Sequence, residues 1–191
     1  MFKPLISLFA LALTAAAEAA HTPLNITAIS SRNGYSVLEC WQLASVPVEA
    51  MSAANYLVGE TTKATWSRIE PRTTVGEAWA PSVQLSIILN GLIRITSPAP
   101  APDPQNSSAS IPLPDQTGAS GDTARPQTNV AYIMPGTLRS SVVIAADLKS
   151  LSTVVGHYTE FPSDEPTILV QIPFQDNKAP EHTILHDGAC I

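Results

Sequence analysis

The chain carries short runs rich in Val, Ile, Thr and aromatic residues, separated by turn residues, and such runs predict β-strands. One stretch instead has the composition of a short helix, VEAMSAANYLVG at residues 48–59. Seven strand runs with a single helix candidate predict an all-β sandwich or barrel. The strand runs cover residues 36–42, 64–71, 83–96, 130–136, 140–147, 151–162 and 167–174.

A proline-rich segment interrupts this pattern between residues 98 and 128. It holds seven prolines together with Ser, Gly, Asp, Asn and Gln, and this composition cannot form a packed layer. Because strand runs resume on both sides, the segment predicts a long mobile insertion within one domain and not a linker between two.

The first residues, MFKPLISLFALALTAAAEAA, predict a secretory signal peptide. Lys3 supplies the positive charge, an apolar run follows, and the small residues Ala17 and Ala19 fit a cleavage site. We therefore expect a signal peptide over residues 1–19 and a single mature domain over residues 20–191, secreted or in the lumen of the secretory pathway.

Two features suit that compartment. Cys40 and Cys190 are the only cysteines, and an even pair in an oxidising compartment most simply forms one disulfide, worth about 4–5 kcal/mol at this loop length. A pair of free thiols is the alternative. Sequons at Asn25 and Asn106 predict glycosylation at both positions.

The charge balance of the chain disfavours some classes of binding partner. The formal net charge is −6, and only ten residues are Lys or Arg, which argues against nucleic acid and anionic membranes. Hydrophobic residues make up 45% of the chain and charged residues 14%. This excess of hydrophobic over charged residues suits an apolar internal cavity that binds a small apolar or aromatic substrate.

The stretch TTVGEAWAPSVQLSIILNG, residues 73–91, resembles the first motif of a cupin barrel without its metal ligands. Gln84 stands in the place of that motif's glutamate, and EAWA at residues 77–80 spans the places of its two histidines. Residues 142–174 resemble the second motif, with His157 near its histidine. A first-row metal normally needs three or more suitable protein ligands, so we expect no metal and no other cofactor.

The resemblance extends to a group of small secreted fungal cupin-like proteins. It is carried by Gly156-His157, FPSDE at 161–165, QIPF at 171–174 and HTILHDGAC at 182–190. Similar secreted, cofactor-free proteins act as hetero-Diels–Alderases of tropolone-sesquiterpenoid pathways, joining a tropolone-derived quinone methide to a humulene-type alkene. The resemblance thus implies a jelly-roll barrel and a metal-independent cyclase of secondary metabolism.

Strand alternation selects candidate site residues on the run 64–71. Trp66, Arg68 and Glu70 share one face. An aromatic residue, a cation and a carboxylate together are typical of a solvated face, but the cupin register favours the barrel interior. On that interpretation Trp66 binds the substrate ring, and Arg68 is catalytic because it stabilises a developing oxyanion.

The run 83–96 and two single residues complete the predicted site. Gln84, Ser86 and Ile88 share a face, which the glutamate-equivalent position makes the inward one; Gln84 is a catalytic candidate and the other two line the cavity. Trp79 is either an ordinary rim or core aromatic or a stacking wall for a planar ring. His157 is either a structural histidine or the acid or base of the reaction.

Two functions remain open. The first is a secreted, cofactor-free cyclase, most simply a hetero-Diels–Alderase, in which a dry cavity orients two apolar reactants. The second is a non-catalytic secreted binding protein or effector that takes a small apolar ligand on the same barrel. Exposed edge strands also make a homodimer possible.

Overall fold

The computed structural model describes residues 21–100, 124–137 and 139–190. The predicted signal peptide, the sequon at Asn106 and most of the proline-rich insertion lie outside the described residues. Within them, no helix is long and apolar enough to cross a membrane.

The described residues form strands arranged in two open sheets and a separate hairpin. A large sheet has the order β13-β2-β1-β10-β7-β12-β5, a small sheet has the order β6-β11-β8-β9, and β3 pairs with β4. A single 3₁₀ turn covers Gln175–Asn177 in the described part of the chain. The strands are β1 (Asn25–Arg32), β2 (Tyr35–Leu43), β3 (Val48–Ala50), β4 (Ala53–Asn55), β5 (Thr65–Ile69), β6 (Thr73–Ala78), β7 (Gln84–Asn90), β8 (Ile93–Ser97), β9 (Asn129–Ile133), β10 (Val142–Ala145), β11 (His157–Phe161), β12 (Thr167–Pro173) and β13 (His182–Asp187).

The predicted all-β class is confirmed, but the predicted short helix is wrong. Residues 48–59 contain the β3–β4 hairpin, which turns at Met51 and Ser52, both with positive φ. The amide of Asn55 donates hydrogen bonds to the carbonyls of Val48, Ala50 and Ala53. An asparagine side chain that hydrogen-bonds nearby backbone carbonyls stabilises a turn in place of a helix. The apolar spacing of residues 48–59 therefore predicted the wrong element.

The long run 83–96 is not one strand but two, and they belong to different sheets. Gly91 separates β7 from β8 with φ at +80°, a conformation that glycine adopts without strain. A Cβ at this position would come within 2.5 Å of the Thr167 hydroxyl oxygen. The chain therefore passes from the large to the small sheet where only glycine fits.

The interior between the two sheets is packed with aliphatic and aromatic side chains. We call the face of the large sheet that looks toward the small sheet its inner face, and the opposite face its outer face. The inner cluster consists of Ile29, Leu38, Ala80, Ile88, Ile93, Ile95, Ala131, Ile133, Val143, Ala145, Phe161 and Leu169. The two sheets pack against each other through this cluster, and the described strands close no barrel.

A second cluster lies on the outer face of the large sheet. It is covered by irregular chain, since Val58 and Ala179 pack against it and Gly59 approaches the ring of Phe174. The buried members are Ile26, Ala28, Trp41, Leu43, Val83, Leu85, Ile144, Ala146 and Phe174. These residues belong mostly to β1, β2, β10 and β7, so the cover reaches one half of the sheet.

The C-terminal strand is fastened to β2 by covalent and polar contacts. The predicted disulfide between Cys40 and Cys190 is present and is compatible with an oxidising compartment. His182 stacks on Trp41 with ring centroids 3.5 Å apart. Arg32 binds Asp187, and this hydrogen-bonded ion pair raises the pKa of the guanidinium and lowers the pKa of the carboxyl.

Candidate functional site

Three of the predicted site residues have the orientation that the sequence pattern indicated. Gln84, Ser86 and Ile88 are all buried on the inner face of β7. Ile88 belongs to the inner cluster, and Gln84 pairs with Ala145 at the end of β10. The inward face of this strand was thus predicted correctly, and Ile88 on it packs into the inner cluster.

Trp66 and Arg68 do not face the interior, and that prediction is wrong. Trp66 is 59% exposed, and the side chain of Arg68 is 46% exposed and pairs with Glu70. The inward positions of β5 are the alternate ones, because Ile69 packs against the inner cluster. In the structure this face of β5 is exposed to solvent, as the alternative interpretation predicted.

His157 lies in a buried polar cluster at one end of the inner face, next to the end of β10. Its Nδ1 is 2.6 Å from a carboxylate oxygen of Asp147. The same oxygen accepts a hydrogen bond of 2.5 Å from the Ser36 hydroxyl, and the other accepts one from the backbone N–H of Ala80. Asp147 is wholly buried.

Three polar contacts thus hold the buried carboxyl group of Asp147 in place. The contact with Nδ1 of His157 also fixes the orientation of the imidazole ring. The cluster ties β2 and β11 to the chain that follows β10. Chemically it can orient an imidazole, and structurally it joins the two sheets at this end.

Trp79 lies at the edge of the same region and is half-buried. Its indole N–H donates to the carbonyl of Ser152 at 2.8 Å, and the Lys149 ammonium lies 4.5 Å from the ring centroid. The ring borders an open pocket of about 450 Å³ that is also lined by Ala80, Pro81, Leu148, Ser150 and Asn177. The Lys149 ammonium thus occupies one face of the indole, and a role of Trp79 as a stacking wall for a planar ring remains a prediction.

A concavity with a more apolar lining lies elsewhere, beside the base of the β3–β4 hairpin. We call it the hairpin groove. It consists of two adjoining concavities of about 440 Å³ and 360 Å³ that share Gly59, Pro180 and Glu181. The larger is otherwise lined by Leu43, Ala44, Ser45, Val46, Val48, Leu57 and Val58, and the smaller by Glu60, Gln175, Asp176, Lys178 and Ala179.

Exposed apolar side chains border the hairpin groove. Val46, Val48 and Leu57 are between 65% and 71% exposed, and Met51 at the hairpin tip is almost fully exposed. The floor, by contrast, belongs to the outer cluster through Leu43 and Val58. A groove with an apolar floor and solvent-exposed apolar walls is the kind of surface that binds something.

Sequence reasoning missed the residues of the hairpin groove and of the polar cluster. The groove combines residues 43–48 and 57–59 with residues 180–181, which lie more than a hundred positions away and share no motif. Asp147 did carry a signal, since it is an acidic residue directly after the apolar run VVIAA. An acid at the buried end of a strand predicts a partnered carboxylate.

Two further predictions concern glycosylation of Asn25 and metal binding. Asn25 begins β1 and is half-buried, with its side-chain oxygen near the amide of Gln42; its glycosylation remains a prediction. Within residues 21–100, 124–137 and 139–190, no three or more His, Cys, Asp or Glu side chains are grouped so that they could hold a metal ion.

Comparison of the chain with family models, with curated proteins and with solved structures gives no match. Inferences about function therefore depend on the residues and their geometry.

Proposed function

We propose that this protein is a secreted, non-catalytic binding protein for a small apolar ligand, and that the hairpin groove is its binding site. The observation that carries the proposal is the apolar wall of the groove, where Val46, Val48 and Leu57 are mostly exposed beside a concavity of about 440 Å³. That volume lies in the range of small-molecule sites. Secretion rests on the signal-like N-terminal sequence and is compatible with the disulfide.

The driving force is the removal of apolar surface from water, about 25 cal/mol for each Å². The charged side chains of the groove disfavour an anion, because three carboxylates, Glu60, Asp176 and Glu181, line it together with one ammonium, Lys178. The larger concavity has one charged lining residue, Glu181, and is otherwise lined mainly by apolar side chains. We therefore infer that the larger concavity takes a neutral, apolar ligand.

The proposal is tested by titrating the purified mature protein with Nile red, an uncharged apolar dye, and following its fluorescence. The double variant Val48→Ser/Leu57→Ser should weaken dye binding about tenfold or more, since two apolar contacts of about 1 kcal/mol each are lost. Stability should hardly change because both side chains are exposed.

The matched control is Val75→Ser/Leu151→Ser, which removes a valine and a leucine of comparable exposure that do not line the groove. This variant should bind the dye as the wild type does. Equal weakening by both double variants would refute the groove as the site, and so would the absence of saturable binding by the wild type.

A cofactor-free cyclase is the second candidate. It is favoured by the imidazole of His157, which Asp147 holds in place at 2.6 Å, and by Gln84, which is buried on the inner face. Hydrogen-bonded His and Gln side chains can move a proton and donate to a developing oxyanion.

The cyclase is tested by incubating the protein with a tropolone-type quinone-methide precursor and a humulene-type alkene, against boiled protein. Product formation that His157→Asn lowers about a hundredfold, with an unchanged melting temperature, would support catalysis. Product formation at the rate of the boiled control would leave the binding protein as the function.

A further inference from the structure

Among the described residues, the outer cluster covers the outer face of the large sheet densely over β1, β2 and β10 and less so in the half that ends at β5. In this half Ile87, which packs against the outer cluster, is followed across β12 and β5 by Val170 and Trp66, since Val170 pairs with both of the others. Ile87 and Val170 are half-buried and Trp66 is exposed. A row of apolar residues that ends on an exposed tryptophan is typical of an interface.

The same half of the sheet ends in a regular edge strand. Among the described strands β5 pairs with β12 alone, and its register runs without a shift from Thr65 to Ile69. The opposite edge, β13, is different: its register shifts between Ile184 and His186. Bulges of this kind protect an edge, whereas a regular edge can pair with another strand.

The edges of the small sheet are less open than β5. The pairing of β6 with β11 is irregular between Thr159 and Glu160. β9 is regular, but its first residue, Asn129, lies next to Gly188 of the C-terminal segment. In the large and the small sheet of the described chain, β5 and β9 are therefore the regular edges. The exposed Val130 and Tyr132 of β9 pair with the polar residues Thr96 and Arg94, whereas Trp66 of β5 pairs with the apolar Val170.

We propose that this protein forms a homodimer in which β5 pairs antiparallel with β5 of a second copy, with the two-fold axis at Ser67. In this register Trp66 lies opposite Arg68 of the second copy, and Arg68 lies opposite its Trp66. An arginine beside an indole is a favourable pair, and the symmetry forms it twice.

Neighbouring registers lack this complementarity. An axis at Arg68 would place two guanidinium groups opposite each other, and like charges directly opposite destabilise a strand pair. An axis at Trp66 would place Arg68 opposite Ala64, beyond the strand. The bond of Arg68 to Glu70 within one copy is exposed and contributes little, so it does not oppose the new pairing.

Pairing at Ser67 also joins the less covered halves of the two outer faces. The large sheets become one continuous sheet, in which Trp66 of one copy is followed across the seam by Arg68 and then Ile168 of the other. The second copy therefore supplies both the missing backbone partner of the edge and a neighbour for the exposed tryptophan.

The experiment is oxidative cross-linking of the full mature chain carrying Ser67→Cys. Directly opposite residues of an antiparallel pair have Cα atoms about 4.5–5.5 Å apart, which suits a disulfide. The control is Thr65→Cys, which the same register separates from its copy by four positions, about 13 Å. We expect a cross-linked dimer for Ser67→Cys and at least tenfold less for Thr65→Cys.

Sedimentation of the uncross-linked protein provides a second, independent measurement. Trp66→Ser and Arg68→Glu should each raise the dissociation constant of the dimer about tenfold or more, while Arg72→Glu, an exposed arginine outside β5, should leave it unchanged. Melting temperatures identify any variant that fails to fold. A monomeric wild type, or equal cross-linking of both cysteine variants, would overturn the proposal.

Discussion

Asp147 and Asp187 each connect distant parts of the chain, but in opposite surroundings. Asp147 accepts a hydrogen bond from Ser36, 111 positions earlier, and Asp187 accepts one from Arg32, 155 positions earlier. Asp147 is fully buried, whereas the side chain of Asp187 is 56% exposed. If Asp187 loses its partner, water can replace it; no water reaches the partners of Asp147 so easily. Similar contacts should therefore have unequal energetic value.

The largest effect is expected from Asp147→Ala. It leaves His157 and the Ser36 hydroxyl buried without their acceptor, which should lower the free energy of unfolding by about 3–5 kcal/mol. Urea unfolding followed by circular dichroism measures the loss. Asp164→Ala removes an exposed carboxylate that binds Arg72 and should cost less than about 1 kcal/mol. Equal losses of unfolding free energy in the two variants would contradict the expected difference between buried and exposed carboxylates.

The disulfide is the next largest expected contribution, and it concerns the Asp187 region. Cys40→Ser/Cys190→Ser should lower the free energy of unfolding by about 2–5 kcal/mol, because the loop that the disulfide closes spans 150 positions. Reduced wild-type protein should unfold at the same urea concentration as this variant. A loss below about 1 kcal/mol would show that the ion pair and the stacked His182 hold β13 by themselves.

Ser97→Ala is expected to change the free energy of unfolding in the opposite direction. Ser97 is fully buried on β8, and its hydroxyl has no hydrogen-bond partner among the described residues. Removing an unpaired buried hydroxyl should leave stability unchanged or raise it by up to about 1 kcal/mol. Ser36→Ala, the matched control, removes a partner of Asp147 and should lower stability by about 1–3 kcal/mol. A clear loss for Ser97→Ala would reveal a partner for that hydroxyl.

The smallest effect is expected from Asp187→Asn, no more than about 1 kcal/mol at neutral pH. The hydrogen bond from Arg32 lowers the pKa of Asp187 below its ordinary value of 3.8. A lowered folded-state pKa gives a contribution that is present above pH 3.8 and is lost as the pH falls below it. The difference in melting temperature between wild type and variant should shrink between about pH 6 and about pH 3. A difference that stays constant over this range would contradict the assignment.

The fold class could be predicted because strand composition and turn residues are local signals. Most predicted runs do contain strands, and Gln84, Ser86 and Ile88 face inward as expected. Alternation also divided β5 correctly into two faces, but it could not tell which of them is buried. That depends on the neighbouring strand β12, where Leu169 rather than Val170 belongs to the inner cluster.

Other features depend on contacts that no local pattern contains. The β3–β4 hairpin depends on the side chain of Asn55 bonding three nearby carbonyls, so a helix-like apolar spacing gave the wrong element. The hairpin groove requires the chain around Pro180 to lie beside Val46 and Leu57. Non-local packing of this kind outweighs propensity and cannot be read from spacing.

The order of strands makes the two halves of the chain structurally inseparable. β10 lies between β1 and β7, pairing parallel with the first and antiparallel with the second, and β12 lies between β7 and β5. A single protease cut between residues 100 and 124 would therefore yield two fragments that share every sheet except the small hairpin, and Cys40–Cys190 would join them covalently. The nicked protein should migrate as one species until it is both reduced and unfolded, which makes this chain a natural starting point for a split protein.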